Sequence, residues 1–142
     1  PFALLQYPFG VLSDRVGRAG PIVAGSSLYG LAVVGVGLAP SVELAGVGMV
    51  AVGVIGALMA PATMALVTDL VGDSDRGTAM AGFNAAGSLG FLAGILVGGS
   101  VAGEFGYLAA FVVAGGGELL LALLLLPRLL GPELPAAERP TE

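Results

Sequence analysis

Residues 44–68 read LAGVGMVAVGVIGALMAPATMALVT, a run of 25 positions without a charged side chain. Two runs of the same kind flank it, 24 residues at 19–42 and 27 residues at 77–103. A fourth apolar stretch, residues 105–127, contains one charged residue, Glu118. A helix needs about 20 mainly apolar residues to cross a hydrocarbon core of roughly 30 Å. The spacing of the charges therefore predicts four membrane-spanning helices.

The composition indicates the same class of protein. Hydrophobic residues make up 56% of the 142 positions and charged residues 11%, which leaves too few charges to cover the surface of a soluble domain. The apolar runs also lack the charged face that helices of soluble proteins present to water. We therefore predict an all-α membrane protein in a lipid bilayer, with four transmembrane helices and the end of a fifth.

The missing residue types exclude several classes of function. The chain has no histidine and no cysteine, the side chains used in most transition-metal sites and in thiol and Ser-His nucleophilic catalysis. We expect no catalytic residue, no metal site and no cofactor, and hence no enzyme. Ten acidic residues against five basic ones give a net charge of −5, so nucleic acid is not an expected partner.

Prolines, glycines and charges divide the chain into segments. Pro21 suits the first turn of a helix, and Pro127 is expected to end the last helix. The predicted segments are the end of a truncated helix at 1–12, a loop at 13–20, transmembrane helices at 21–38, 44–70, 77–101 and 106–126, and a disordered tail at 127–142.

The arginines predict the orientation in the membrane. They lie in the loop at 13–20, between the second and third of the four spans, and in the tail, whereas the two opposite links contain none. Positively charged residues concentrate on the cytoplasmic side of membrane proteins. We therefore expect the loop and the tail to be cytoplasmic, in a protein of the plasma membrane.

Residues 10–18 read GVLSDRVGR and lie between two apolar segments. Their glycines permit a tight turn, while one carboxylate and two guanidinium groups can join helix ends through charge-assisted hydrogen bonds. The stretch resembles the G-x-L-x-D-R-x-G-R signature of the major facilitator superfamily. Every signature position is filled: Gly10, Leu12, Asp14, Arg15, Gly17 and Arg18. The alternative is a generic charged loop between two membrane helices.

The resemblance implies a transporter of twelve helices whose two halves rock about a central site. The predicted helix at 44–70 has Met49 and Val52 where the first half of such proteins often carries the Arg and Gln of an R-x-x-Q-G pattern. This difference favours the second half, so the missing N-terminal half of the same transporter is an expected partner. The alternative is a first half cut inside the central linker.

Asp69 is expected to join the same group of charges. It ends an apolar segment, where the helix dipole disfavours an anion by about 0.3 to 1 kcal/mol. We therefore expect a cation beside it, either Arg18 or Arg76. In the resembled family such a lock helps to close the cytoplasmic side. The predicted gate residues are Gly10, Asp14, Arg15, Gly17, Arg18, Asp69 and Arg76.

Small residues recur along the predicted helix at 77–101 and favour close packing of a second helix. The glycines concerned are Gly82, Gly90, Gly94, Gly98 and Gly99. The stretch from Gly90 is similar to the G-x-x-x-G-P-x-x-G-G part of the superfamily's antiporter motif, with Ile95 in place of proline. That departure weakens an assignment to export, and helix packing alone explains the stripe.

Glu118 is the only carboxylate far from a predicted helix end. An acid inside the membrane is a functional candidate by default, and we expect it either to carry protons or to bond a neighbouring helix. The resemblance also implies four candidates for a substrate cavity, with Phe83 and Phe91 as apolar lining: Gln6, Met59, Thr63 and Asn84. Their polar side chains can instead bond a neighbouring helix.

Few charged groups border the expected cavity, which favours a neutral or lipophilic solute moved by alternating access. The chain contains no G-x-x-x-x-G-K-[ST] loop for nucleotide phosphates, and this is compatible with coupling to an ion gradient. We expect a secondary transporter, with proton-coupled drug efflux as its specific form. The alternatives are sugar or metabolite uptake in the same family, and a permease subunit driven by a separate ATPase.

Overall fold

The computed structural model describes residues 2–130, which are helical over almost their whole length and include no strand. Five helices follow one another: α1 (Phe2–Val16), α2 (Ala19–Gly37), α3 (Val42–Asp69), α4 (Arg76–Phe105) and α5 (Tyr107–Leu130). A 3₁₀ turn, Asp73–Asp75, precedes α4. The predicted all-α fold class is confirmed.

Four of the helices, α2 to α5, are long and apolar enough to cross a membrane. They contain 19, 28, 30 and 24 residues. At about 1.5 Å per residue, each approaches or exceeds the roughly 30 Å of a hydrocarbon core. α1 has 15 described residues and is shorter than that thickness.

The link between α1 and α2 is shorter than predicted. α1 extends past residue 12 and α2 starts at Ala19, so the link shrinks from 13–20 to Gly17 and Arg18. The backbone carbonyl of Ser13 accepts a hydrogen bond from the N–H of Gly17 over 3.0 Å. α1 therefore continues past Ser13 although that side chain is polar. Gly17 then turns the chain with a φ of +91°, a conformation that favours glycine.

The links at the opposite end of the bundle are also tight. Ser41 caps α3, where its Oγ accepts a hydrogen bond from the N–H of Leu44 over 3.3 Å. Gly106, with a φ of +84°, separates α4 from α5, so α4 reaches Phe105 and not only residue 101. We call the end with Ser41 and Gly106 the arginine-free end, since Glu43 and Glu104 lie there but no described arginine does. The end with Gly17 is the charged end.

The prediction that Pro127 ends the last helix is wrong. The helix passes through Pro127 to Leu130, and Pro61 likewise lies inside α3. Proline is tolerated in membrane helices because neighbouring helices and local adjustments satisfy the freed backbone groups. The remainder of the predicted disordered tail, residues 131–142, lies outside the described residues.

α2 is the central helix of the bundle. It packs most extensively against α5 and α3, while α1 packs mainly on α3, and α4 contacts α5 and, less extensively, α3. The buried apolar residues are few: Ile22, Val36, Val52, Ala57, Ala62 and Ala122. α4 has no buried residue, and large apolar side chains such as Phe91 and Leu96 are exposed on it. An apolar surface of this extent suits lipid and not water.

Two glycines bring α2 and α5 into close contact. A Cβ atom on Gly30 would lie 2.7 Å from the carbonyl oxygen of Gly115, and a Cβ on Gly115 would lie 2.5 Å from the carbonyl oxygen of Gly30. No side chain fits at either position without a shift of backbone. Close approach of helix backbones at small residues is a main source of helix association in membranes, and here it fixes how α5 faces α2.

Candidate functional site

Arg18 connects three helices at the charged end. Its Nε donates to Oδ2 of Asp69, the last residue of α3, over 3.1 Å. Its Nη1 donates to Oδ1 of Asp14 and, over 3.3 Å, to Oγ of Ser13, both near the end of α1. The guanidinium group offers five N–H donors in a fixed plane, which lets one side chain serve all three acceptors. We call Ser13, Asp14, Arg18 and Asp69 the arginine junction.

The local sequence explains this arrangement. Gly17 turns the chain, and Arg18 follows it directly at the start of α2, four positions after Asp14. Asp69 lies at the C-terminus of α3, where the unpaired carbonyl groups carry partial negative charge, so a guanidinium beside it is favourable. Ser13 is fully buried, and its hydroxyl oxygen is paired with Arg18.

Burial and charge act in opposite directions on Arg18. Partial burial lowers the pKa of its guanidinium, but hydrogen bonds and charge attraction from Asp14 and Asp69 outweigh this, so the pKa lies above its ordinary value. Arg18 therefore stays charged at every physiological pH. Its partner Asp69 is 36% exposed and Asp14 is 62% exposed, so the bond to Asp69 is the better shielded from water.

The other predicted gate residues lie around the junction. Of the two cations expected near Asp69, Arg18 is its partner, whereas Arg76 pairs with Asp73 over 3.0 Å on the far side of the α3–α4 link. Arg15 is exposed on α1 and forms no ion pair with another described residue. Gly10 lies against α3, where an added Cβ would be 3.7 Å from the Cβ of Pro61.

Two cavities among the described residues open between the spanning helices. One, of about 670 Å³, lies toward the charged end and is bordered by α2, α3, α4 and α5. The other, of about 520 Å³, lies toward the arginine-free end between the same helices. Tyr29, Val52 and Glu118 border both cavities, and we call these three residues the waist. Glu118 also borders a third space of about 130 Å³ between α2 and α5.

Glu118 is the only charged side chain that lines these spaces. It is partly buried on α5 and has no hydrogen-bond or ion-pair partner among residues 2–130. Within that part of the chain, acidic side chains nowhere form a group able to hold a metal ion. The waist therefore brings an acid, a phenol and an apolar side chain to the border of the same two cavities.

Tyr29 is a waist residue that the sequence analysis missed. It was part of the uncharged run at 19–42 and drew no attention there. Its position was nevertheless a signal, because tyrosines in membrane proteins concentrate at the interfaces and Tyr29 lies in the middle of α2. A phenol at that depth needs a polar neighbour, and Glu118 borders the same cavities.

The predicted cavity residues divide into two groups. Met59, Thr63 and Phe83 line the cavity of about 670 Å³, although the Thr63 hydroxyl donates to the carbonyl of Met59 over 2.9 Å within α3. Gln6 on α1 and Asn84 on α4 line neither of the two large cavities. Phe91 is exposed on α4.

The predicted packing stripe on α4 faces open space. No atom lies within 4 Å of a Cβ built on the five glycines of that stripe: Gly82, Gly90, Gly94, Gly98 and Gly99. Gly98 and Gly99 border the cavity of about 520 Å³. The close glycine contact is instead between Gly30 and Gly115, and packing at the α4 stripe stays a prediction.

Comparison with known proteins adds one family match. The model of the Major Facilitator Superfamily matches residues 1–142, the whole chain. No solved structure matches the chain significantly.

Proposed function

The chain belongs to the Major Facilitator Superfamily, and on this premise we propose that it is the second half of a secondary transporter that exports lipophilic, drug-like solutes in exchange for protons. Members of this family move solutes across membranes, and the four apolar helices make the chain an integral membrane protein. In this proposal the arginine junction is the cytoplasmic gate and Glu118 carries the proton.

The observation that carries the proposal is the arginine junction. Arg18 holds the ends of α1 and α3 to the start of α2 through Asp14 and Asp69. Three helices joined at one end by hydrogen bonds can separate only when those bonds break. Because the pairs are partly exposed, each contributes about 1 kcal/mol or less, an amount that substrate binding can overcome. A gate needs this combination of specific geometry and modest strength.

The distribution of arginines supports a cytoplasmic position for the junction. Arg15, Arg18, Arg76 and Arg128 all lie at the charged end of the bundle, whereas the links around Ser41 and Gly106 contain no basic residue. The positive-inside rule places the charged end in the cytoplasm. The membrane of this proposal is the plasma membrane, across which an exporter releases its solute from the cell.

The lining of the cavities supports a lipophilic solute over a sugar. A sugar needs several hydrogen-bonding side chains around its hydroxyl groups, whereas the cavity of about 670 Å³ offers the polar side chains of Tyr29, Thr63 and Glu118 among apolar neighbours. The Thr63 hydroxyl already donates within α3. Apolar walls with one acid favour an aromatic or aliphatic solute.

The test is transport by the full-length protein in proteoliposomes, with an imposed pH gradient and no ATP. A panel of fluorescent hydrophobic compounds, sugars and amino acids is offered, and internal pH is recorded. We expect movement of hydrophobic compounds with a counterflow of protons. Uptake of a sugar in place of these compounds would favour the metabolite-transporter alternative, and a strict need for a separate ATPase would contradict secondary transport.

A further inference from the structure

A narrow space of about 130 Å³ lies between residues 22–26 of α2 and 118–125 of α5, toward the charged end. We call it the crevice. We propose that it binds an anionic phospholipid of the surrounding bilayer, with the lipid phosphate at Arg128 and one acyl chain between the two helices. This inference goes beyond the proposed function, because it concerns the bilayer and holds whatever solute is carried.

The burial of the crevice residues is the first argument. Its floor is formed by Ile22 of α2 and Ala122 of α5, which are buried. Its rim is formed by Leu121 and Leu125, which are 55% and 44% exposed. The crevice therefore opens outward at its rim, where exposed leucines of a membrane helix meet lipid.

The size and lining of the crevice suit part of an acyl chain. An apolar cavity of about 150 Å³ can take up a benzene molecule, so about 130 Å³ leaves room for a short run of methylene groups. Most of the lining is apolar: Ile22, Val23, Leu121, Ala122 and Leu125. The polar lining residues, Ser26 and Glu118, lie at the end away from Arg128.

The position of Arg128 is the second argument. Leu121, Leu125 and Arg128 follow one another at positions i, i+4 and i+7, so Arg128 lies on the crevice face of α5. At about 1.5 Å per residue it is about 10 Å beyond Leu121 along the helix, toward the charged end. Arg128 is exposed, and the ion pairs of the described residues do not include it.

The charges around the crevice favour an anionic headgroup. Arg18, one turn before Ile22 on the facing helix, is already paired with Asp14 and Asp69, and no acid follows Glu118 in the described part of α5. Arginine binds phosphate through paired N–H donors, and the attraction of one arginine to an anionic lipid surface corresponds to about a fivefold preference. An apolar crevice that ends at an available guanidinium matches both parts of such a lipid.

The test uses phosphatidylglycerol and phosphatidylcholine that carry the same photoactivatable diazirine on one acyl chain. Each is added at low mole fraction to phosphatidylcholine vesicles that contain the full-length protein, and the positions labelled on irradiation are mapped by mass spectrometry. We expect phosphatidylglycerol to label residues 22–26 and 121–125 about fivefold more than phosphatidylcholine does. Equal labelling by the two lipids, or labelling confined to other helices, would overturn the proposal.

An arginine variant assigns the phosphate to its partner. Arg128→Gln should lower the labelling by phosphatidylglycerol to the level of phosphatidylcholine. Arg15→Gln is the matched control for lipid labelling, since Arg15 is also exposed at the charged end but lies on α1, which does not contact α5. Headgroup preference that persists in Arg128→Gln, or that disappears equally in Arg15→Gln, would overturn a phosphate site at Arg128.

A pair of leucine variants tests the acyl chain. Leu125→Gln places an amide on the rim and should lower the labelling of residues 22–26 by phosphatidylglycerol at least threefold. Leu123→Gln is the control, because Leu123 is exposed on the same helix and does not line the crevice. Elution volume and melting temperature verify that both variants are folded, and equal labelling of residues 22–26 in the two folded variants would overturn the proposal.

Discussion

Arg18 and Asp69 are 51 positions apart in sequence, yet Nε of Arg18 lies 3.1 Å from Oδ2 of Asp69. Arg18 follows the turn at Gly17 and Asp69 ends α3, so the bond joins the start of α2 to the end of α3. Asp14 shares the same guanidinium from the end of α1. Movement of these three helices relative to one another at this end must change those bonds.

Loss of the Asp14 or the Asp69 carboxylate should reduce the transport rate more than the thermal stability of the protein. We expect Asp69→Asn and Asp14→Asn to reduce the transport rate several-fold, because an amide pairs weakly with Arg18. The melting temperature should change little, since an exposed pair contributes about 1 kcal/mol or less. The measurement is initial transport rate per inserted protein. Asp75→Asn is the control, because Asp75 forms no ion pair with a described residue, and normal transport in both junction variants would contradict the gate.

Arginine at position 18 should not be replaceable by lysine. Arg18→Lys keeps the charge but loses the planar group that serves three acceptors, so transport should fall although the charge balance is unchanged. Arg128→Lys, exposed near the end of α5, should leave transport close to normal. Initial rates of both variants in the same vesicle preparation provide the comparison, and equal rates would show that charge alone suffices.

The α2–α5 contact should tolerate no side chain. Gly115→Ala places a methyl group against the carbonyl oxygen of Gly30, and overpacking of this kind costs about 1–3 kcal/mol. Gly116→Ala is the matched control, since its Cβ would meet no atom within 4 Å. Thermal unfolding in detergent should show a lower midpoint for Gly115→Ala alone. Equal midpoints would mean that the two helices are farther apart than described.

Gly17 should be sensitive for a different reason. Nothing lies within 4 Å of a Cβ at Gly17, but its φ is +91°, and an L-residue there costs about 1–2 kcal/mol. Gly17→Ala should therefore shift Arg18 and reduce transport. Gly20→Ala, also in open space but in ordinary helical conformation, should not. The measurement compares the transport rates of the two variants. Equal rates would show that the backbone conformation at Gly17 does not matter for transport.

Removal of the Glu118 carboxyl should flatten the pH dependence of transport, because glutamine neither takes up nor releases a proton. Tyr29 and Tyr107, the other titratable side chains that line the same cavities, remain in the variant. Transport by Glu118→Gln and by the control Glu104→Gln is recorded from pH 5 to 9. A profile for Glu118→Gln that follows the unmodified protein would make Glu118 a structural residue.

The spanning helices could be predicted from sequence because charges are excluded from the hydrocarbon region. The uncharged runs around Tyr29 and Val52 therefore revealed two of the spans directly. Their ends were less predictable, because the backbone of α1 stays hydrogen-bonded past Ser13 and α5 passes through Pro127. Neither polarity nor proline ends a membrane helix by itself.

The rotation of each helix could not be predicted. A helix that is apolar on all sides has no polar face to show which residues turn inward, so Tyr29 was overlooked and Asn84 was placed with the cavity candidates. The choice between Arg18 and Arg76 as the partner of Asp69 likewise depended on the direction of the α3–α4 link. The contact of Gly30 with Gly115 depends on two helices far apart in sequence, which no periodicity within one helix reveals.

The most direct test of the gate is to replace the bonds at Arg18 and Asp69 by a covalent link. Cysteines are introduced at both positions of the full-length protein and joined by a short bis-methanethiosulfonate reagent, with the two single-cysteine variants as controls. We predict that cross-linking stops transport and that reduction of the link restores the rate of the untreated double variant. Full cross-linking with undiminished transport would show that the helix ends never separate there, and the account of the gate would be wrong.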